Sequence, residues 1–344
     1  MNFSNYLVVS VLVVILFFSF ILFNNNFFGK SVINNNESET SHSFLQISYA
    51  IEEDKDEDKD DPNNKKNKSI FNIAAVGDWD CTGETEDTVD NIVDQDPEIV
   101  LALGDLSYNG DAECWLELIE PIADKTKIAI GNHELDSDEL TEDYMNYFGL
   151  KEQYYSFNHR NIHFLALSTE TDYDDDSEQY EFVIQDLEKY SKDPFIDWII
   201  VFFHRHIYGS ASLEEETDFR ETYHPLFDKF NVDLVLQGHL HVYERTYPIT
   251  FNNEDEDEPI VQDSNSTSIY KNPKGPIFVT VGTGGAHDMI LSSLEDYSAE
   301  GIDGTFGILD IILESDQKTL TGTFIENGKK KEIMDEFKIV KDKT

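Results

Sequence analysis

Several apolar runs in this chain end on residues that can bind a metal ion. AAVGD closes on Asp78, LALGD on Asp105, and IAIGN on Asn132, with His133 next. IIVFFH closes on His204, and LVLQGH on His239, with His241 two residues beyond. Taken singly, a Gly-Asp after an apolar run is an ordinary turn. Repeated on successive runs, it becomes a constellation, because strand tips of an open α/β sheet converge where ligands bind. The glycines at 77, 104, 131 and 238 allow sharp turns and close backbone approach to a ligand. Carboxylate, amide oxygen and imidazole together suit iron, zinc or manganese, and not Cu(I) or Ca. No cysteine cluster has zinc-finger spacing. Two such metals about 3.5–4 Å apart, sharing one carboxylate, can clamp a phosphate and generate hydroxide near neutral pH.

The elements that must position these residues begin near residue 70. Strand-like runs cover Phe71 to Val76, Ile99 to Leu103, Lys127 to Ile130, Ile162 to Leu167, Trp198 to Phe203 and Leu234 to Leu236. Helix-like segments fall between them, near 84–95, 112–124, 138–148, 177–191 and 215–230. Such alternation predicts an α/β domain, here spanning 70–341. After residue 275 come further strands, Ile277 to Val281, Phe306 to Leu313, Leu320 to Ile325 and Glu336 to Val340. The acidic stretch 252–274, with Asn, Ser and Pro, reads as an exposed loop.

The remainder of the 344 residues sets the context. Lys and Arg number 25 against 70 Asp and Glu, a formal charge of -45, which repels nucleic acid and anionic lipid and disfavours a polyanionic partner. Residues 7 to 23, LVVSVLVVILFFSFILF, carry no charge and no Pro. Segment 1–26 is therefore read as an uncleaved membrane anchor or a cleaved signal peptide, and either sends the chain out of the cytoplasm. Residues 27–69 form an acidic tether too polar to offset the entropy of ordering. Cys81 and Cys114, an even pair in an exported chain, permit one disulfide, with two unpaired thiols as the alternative.

The motif order resembles the metallophosphoesterases, and among them the purple acid phosphatases. It runs Gly77-Asp78-Trp79-Asp80, Gly104-Asp105-Leu106-Ser107-Tyr108, Gly131-Asn132-His133-Glu134, Val201-Phe202-Phe203-His204 and Gly238-His239-Leu240-His241. Val242-Tyr243-Glu244-Arg245, YYSF with NIHF at 154–164, and VTVGTGG at 279–285 are similar as well. The resemblance covers about residues 70 to 325. It implies a four-layer α/β/β/α sandwich with two mixed sheets. It also implies that Asp78, Tyr108 and His241 hold a ferric ion, that Asp105 bridges, and that Asn132, His204 and His239 hold Zn, Mn or Fe(II). The implied reaction is attack of a metal-bound hydroxide on a small phosphomonoester, with His133 supporting the leaving oxygen. Asp80 departs from the pattern, since the purple branch usually has Gly there. It is expected beside the metal ligands, or as an extra ligand. His206, where relatives often have Pro, is a candidate second phosphate contact, and His287 a weaker candidate near the site. The alternatives are a phosphodiesterase or nucleotidase on the same scaffold, and a metal-binding surface protein without turnover. Oligomeric state is not legible in the sequence.

Overall fold

The computed structural model describes residues 71–342, except 214 and 292. The expected anchor or signal segment and the acidic tether lie outside the described residues. No helix among the described residues is long and apolar enough to cross a membrane.

Chain order begins with strand–helix alternation. β1 (Phe71–Val76) leads to α1 (Gly83–Gln95), β2 (Ile99–Ala102), α2 (Ala112–Leu118) and β3 (Thr126–Ile128). α1 starts where the Thr82 side chain accepts from the Thr85 N–H, and it stops at Asp96, whose left-handed backbone closes the last turn. α3 (Asp138–Phe148) is capped by Ser137 and ends on Gly149 in the left-handed region. β4 (Tyr155–His159), β5 (Ile162–Ala166), α4 (Glu178–Tyr190), β6 (Trp198–Phe202), α5 (Thr217–Phe230) and β7 (Leu234–Gln237) follow. The remaining strands are β8 (Tyr243–Thr246), β9 (Ile249–Thr250), β10 (Ile260–Val261), β11 (Ile269–Lys271), β12 (Ile277–Val281), β13 (Ser298–Ile302), β14 (Gly307–Leu313), β15 (Thr319–Glu326) and β16 (Ile333–Val340).

Two mixed sheets of seven strands result, ordered β11-β16-β15-β14-β1-β2-β3 and β13-β8-β12-β7-β6-β5-β4. Side-chain alternation divides each central strand of the second sheet between two cores. Ile162, Phe164, Trp198, Ile200, Leu234 and Leu236 pack inward with residues of the first sheet. Leu165, Ile199, Val201 and Val235 face the other way, onto Val183 and Leu187 of α4 and Phe219 and Tyr223 of α5. Helices α1, α2 and α3 contribute Ile92, Trp115 and Tyr144 to the first core. The molecule is thus the four-layer α/β/β/α sandwich expected.

Some elements differ from the sequence reading. The helix expected over 112–124 breaks after Leu118, and a 3-10 turn over Glu120–Lys125 replaces its second half, with Pro121 in its first turn. The stretch 252–274 is not all loop: β10 pairs with β9, and β11 adds an edge strand parallel to β16. Both strands are too short for alternation to show. β8 escapes a hydrophobicity reading because Glu244 and Arg245 are charged yet buried.

Arg245 links the sheets. Its Nε donates to Asp335 Oδ2 at 2.7 Å and its Nη2 to Asp335 Oδ1 at 3.0 Å, a bidentate pair from β8 to β16. Tyr243 donates to the same carboxylate at 2.7 Å, and Arg245 Nη1 donates to Tyr270 Oη at 3.0 Å. The guanidinium also lies over the Phe337 ring, 4.9 Å from its centre. A buried charge left alone is far worse than no charge at all. Asp335→Ala should therefore lower unfolding stability by about 3–5 kcal/mol, while Arg245→Met with Asp335→Leu should recover most of it. Urea unfolding of the three proteins measures this, and an unshifted midpoint for Asp335→Ala would refute the buried pair.

Candidate metal centre

The expected ligands lie on the loops that leave β1, β2, β3, β6 and β7 at their carboxyl ends. Asp78, Asp105 and His239 each follow a glycine and themselves take positive φ, of 58°, 49° and 70°. Non-glycine residues adopt that region sparingly, and it concentrates at functional sites. Backbone bonds hold the turns together: Asp78 N–H donates to Gly104 O at 3.0 Å, and Gly238 N–H to His204 O at 2.8 Å. The preceding glycines mainly supply room. A Cβ on Gly131 would stand 2.3 Å from Asp105 Oδ1, and one on Gly104 would meet the His204 ring at 2.7 Å.

The side chains gather in two sets joined by one carboxylate. In the first, Tyr108 Oη lies 3.1 Å from Asp78 Oδ1, 3.2 Å from Asp105 Oδ2 and 2.9 Å from His241 Nε2. In the second, His204 Nε2 lies 3.2 Å from Asp105 Oδ2, from Asn132 Oδ1 and from His239 Nδ1. Asp105 Oδ2 is common to both, so the structure brings every expected ligand together and puts the expected bridge between them. Ligand atoms of Asp105, His204 and His239 all lie within 4.8 Å of one another.

The set is rich in acceptors and poor in protons. Tyr108 has one hydroxyl proton facing two carboxylate oxygens, with the His241 ring nitrogen also in reach. Asp78 and Asp105 are almost wholly buried. Burial, and then the Asp78 and Asp105 charges, push the Tyr108 hydroxyl well above its ordinary pKa. Burial alone would lower His204, yet the Asp105 charge and hydrogen bond push it up to about 10. His239 drops to about 4 through burial and the neighbouring His204 charge. Burial disfavours the Asp105 carboxylate, but His204 and the His133 N–H hold its pKa below the usual range. Cations between these groups would supply the missing positive charge, displacing protons as they bind. The donors therefore fit two metal ions.

Other candidates fall around this centre. The His133 side chain is about one-third exposed, with Nδ1 3.7 Å from Asp136 Oδ2 and Nε2 4.0 Å from Asp105 Oδ2. His206 is fully buried, and its ring stacks on His239 with centres 5.6 Å apart. Burial, then His239, lowers its pKa to about 3. His287 is exposed and contributes its backbone carbonyl, which accepts from His241 Nδ1 at 2.5 Å and orients that ligand. Asp80 turns its Oδ1 onto the Cys81 N–H at 2.7 Å. Cys81 and Cys114 form a disulfide, with Cα atoms 6.2 Å apart, tying the loop after β1 to α2.

Sequence reasoning quoted Glu134 without giving it a role. The structure buries its carboxylate completely. Oε2 accepts from Asp105 N–H at 2.9 Å and Gly131 N–H at 2.7 Å, and Oε1 accepts from Leu106 N–H at 2.8 Å. One side chain thus sets the spacing of the loops that carry Asp105 and Asn132. An acid within a metal-ligand motif, next to a candidate catalytic histidine, was the available signal.

Comparison with known proteins agrees with this geometry. The family model described as calcineurin-like phosphoesterase matches residues 71–243. Purple acid phosphatase 18 of Arabidopsis thaliana is 31% identical, over 66% of this chain and 53% of its own length. A protein named probable inactive purple acid phosphatase 27, also of Arabidopsis thaliana, is 30% identical over 66% of this chain and 42% of its own. The solved purple acid phosphatase from yellow lupin seeds superposes with a TM-score of 0.70 at 26% identity, covering 80% of this chain and 54% of that one. The chain spans about half the length of these relatives. With a family match over half its length and both ligand sets assembled, this chain belongs to the calcineurin-like phosphoesterases and is similar to the purple acid phosphatases.

Proposed function

We propose that the chain is an extracytoplasmic two-metal phosphatase acting on small phosphomonoesters. The observation that carries this reading is the shared oxygen, Asp105 Oδ2, within 3.2 Å of both Tyr108 Oη and His204 Nε2. Asp78, Asp105, Tyr108 and His241 would hold the first ion, and Asp105, Asn132, His204 and His239 the second. The phenol of Tyr108 favours a ferric first ion, and the amide and imidazoles suit Zn, Mn or Fe(II). When bound, the pair supplies Lewis-acid charge for the phosphate oxygens and a lowered pKa for the attacking water.

The protein's own groups do the rest. Glu134 fixes the bridging loop through backbone N–H groups, so the carboxylate need not reorganise during the reaction. His133, partly open among buried ligands, holds a proton toward the leaving oxygen. His206 packs behind His239 as a neutral ring and acts from behind the ligand. The disulfide and the apolar run at 7–23 support an oxidising compartment outside the cytoplasm. The charge of -45 argues against nucleic acid. Diester hydrolysis on the same scaffold, and metal binding without turnover, are the competing outcomes. The second gains weight from the relative named as probable inactive.

The test is turnover of a chromogenic monoester and the matching diester by the metal-loaded chain, with and without chelator. Monoester turnover abolished by chelation supports the reading. Diester preference, or two bound metals and no turnover, would replace it. Asp105→Asn should release at least one metal and lower kcat/KM by more than about a hundredfold, beyond the 10–100-fold typical of groups behind the ligands. Two metals retained at near-normal turnover would remove the bridging role. Glu134→Gln presents an NH2 group to backbone donors, and should weaken metal affinity or activity by about 10–100-fold with the fold intact. Unchanged metal affinity and turnover would reduce Glu134 to a packing residue. Iron-loaded protein should be coloured through a Tyr108 phenolate, and Tyr108→Phe should bleach it. A colourless wild type with stoichiometric ferric ion would exclude Tyr108 as a ligand.

A further inference from the structure

Around the metal centre, the loops at the strand tips have an unusual chemistry even for an acidic chain. Between Asn72 and Asp124 the sequence has no Lys or Arg, and it has none from Ala129 to Leu150, from Leu167 to Ser177, or from Thr283 to Thr305. Arg205 is the one cation on the loop from Phe203 to Glu216. Its charge is already matched: Nε donates to Glu170 Oε1 at 2.6 Å and Nη1 to Glu216 Oε1 at 3.1 Å. Asp136, Glu170, Asp172 and Asp288 lie on the same loops.

Apolar side chains stand on those loops as well. Leu135 is 43% exposed, Leu213 38% and Ile290 78%. Each belongs to a segment that carries a residue of the site or bonds to one beside it. Leu135 belongs to the turn Asn132–Asp136, which also carries Asn132 and His133. Leu213 lies on the loop that Glu216 N–H closes onto His206 O at 3.1 Å. Ile290 follows Met289, whose N–H donates to His241 O at 3.2 Å.

We infer that this phosphatase selects monoesters whose phosphate is their only anionic group and whose leaving alcohol is apolar. This rests on the two-metal phosphatase reading. Bound metals would attract a single phosphate at short range, whereas every further anionic group on the substrate meets Asp136, Asp172 and Asp288, for which these loops offer no Lys or Arg beyond Arg205, itself matched by Glu170 and Glu216. The repulsion is long-ranged and screened by salt. Leu135, Leu213 and Ile290 supply apolar contact for the alcohol portion, where each methylene discriminates modestly.

Hexyl phosphate, glycerol 1-phosphate and 3-phosphoglycerate all release a primary alcohol, and the hydroxyl next to the leaving carbon in the last two makes them the more reactive in themselves. With the metal-loaded full chain at low salt, hexyl phosphate should exceed 3-phosphoglycerate in kcat/KM by about tenfold or more, and inositol hexakisphosphate by a larger factor. Raising the salt should narrow the gap to the polyanions and leave the gap to glycerol 1-phosphate nearly unchanged, because apolar contact is not screened. Leu213→Ser with Ile290→Ser should raise the KM for hexyl phosphate about 3–10-fold and leave inhibition by inorganic phosphate unaltered. Equal or better turnover of 3-phosphoglycerate or inositol hexakisphosphate overturns the inference while leaving the phosphatase reading intact. Two bound metals with no turnover of any ester overturns both.

Discussion

Burying Asp78 and Asp105 almost completely, within reach of one another's partners, is the constraint on which the site depends. Buried carboxylates need positive charge or many hydrogen bonds to stay ionised. Against them stand the Tyr108 proton, the raised His204 and the backbone N–H groups of His133 and His239, while a third buried acid, Glu134, adds to the demand. The strained backbone at Asp78, Asp105 and His239 follows from the same requirement, since the ligands must point inward from tips that crowd together. A site built in this way is stable with cations in it and electrostatically frustrated without them.

Much of this was legible in the sequence, for a physical reason. A ligand at the carboxyl end of an apolar strand leaves a local signature, the apolar run followed by Gly and then a polar donor. That is why Asp78, Asp105, Asn132, His204 and His239 could be read in chain order. Strands β1 and β12 and helix α3 have the bounds their patterns suggested, because their ends coincide with caps or composition changes. The place of Glu134 in the motif marked it, but its role was illegible because accepting from backbone N–H groups needs no partner side chain in the sequence. Strand β8 was hidden because its charges are satisfied across space. Glu244 accepts from Ser210 N–H at 2.8 Å and from the Ser210 and Ser298 hydroxyls at 2.5 Å, and Arg245 pairs with Asp335. The position of His206 behind His239 was equally beyond alternation rules, since the chain leaves the strand at Phe202.

The segment Val242-Tyr243-Glu244-Arg245 shows how a motif near a site can serve architecture. It directly follows the ligand His241, yet its charged residues face neighbouring strands and loops. Arg245 reaches the first sheet, and Glu244 holds the Ser210 loop. The segment therefore fixes what surrounds the candidate metal ligands.

The ligands are also divided between the sheets. Asp78, Asp105 and Asn132 leave the first sheet after β1, β2 and β3, while His204, His239 and His241 leave the second after β6 and β7. An ion held by both groups would rivet the sandwich together. Its binding free energy would add to what keeps the layers docked, about 2.7 kcal/mol for a site held at a hundred times its dissociation constant. On that reading, metal supply would govern how long the folded protein survives.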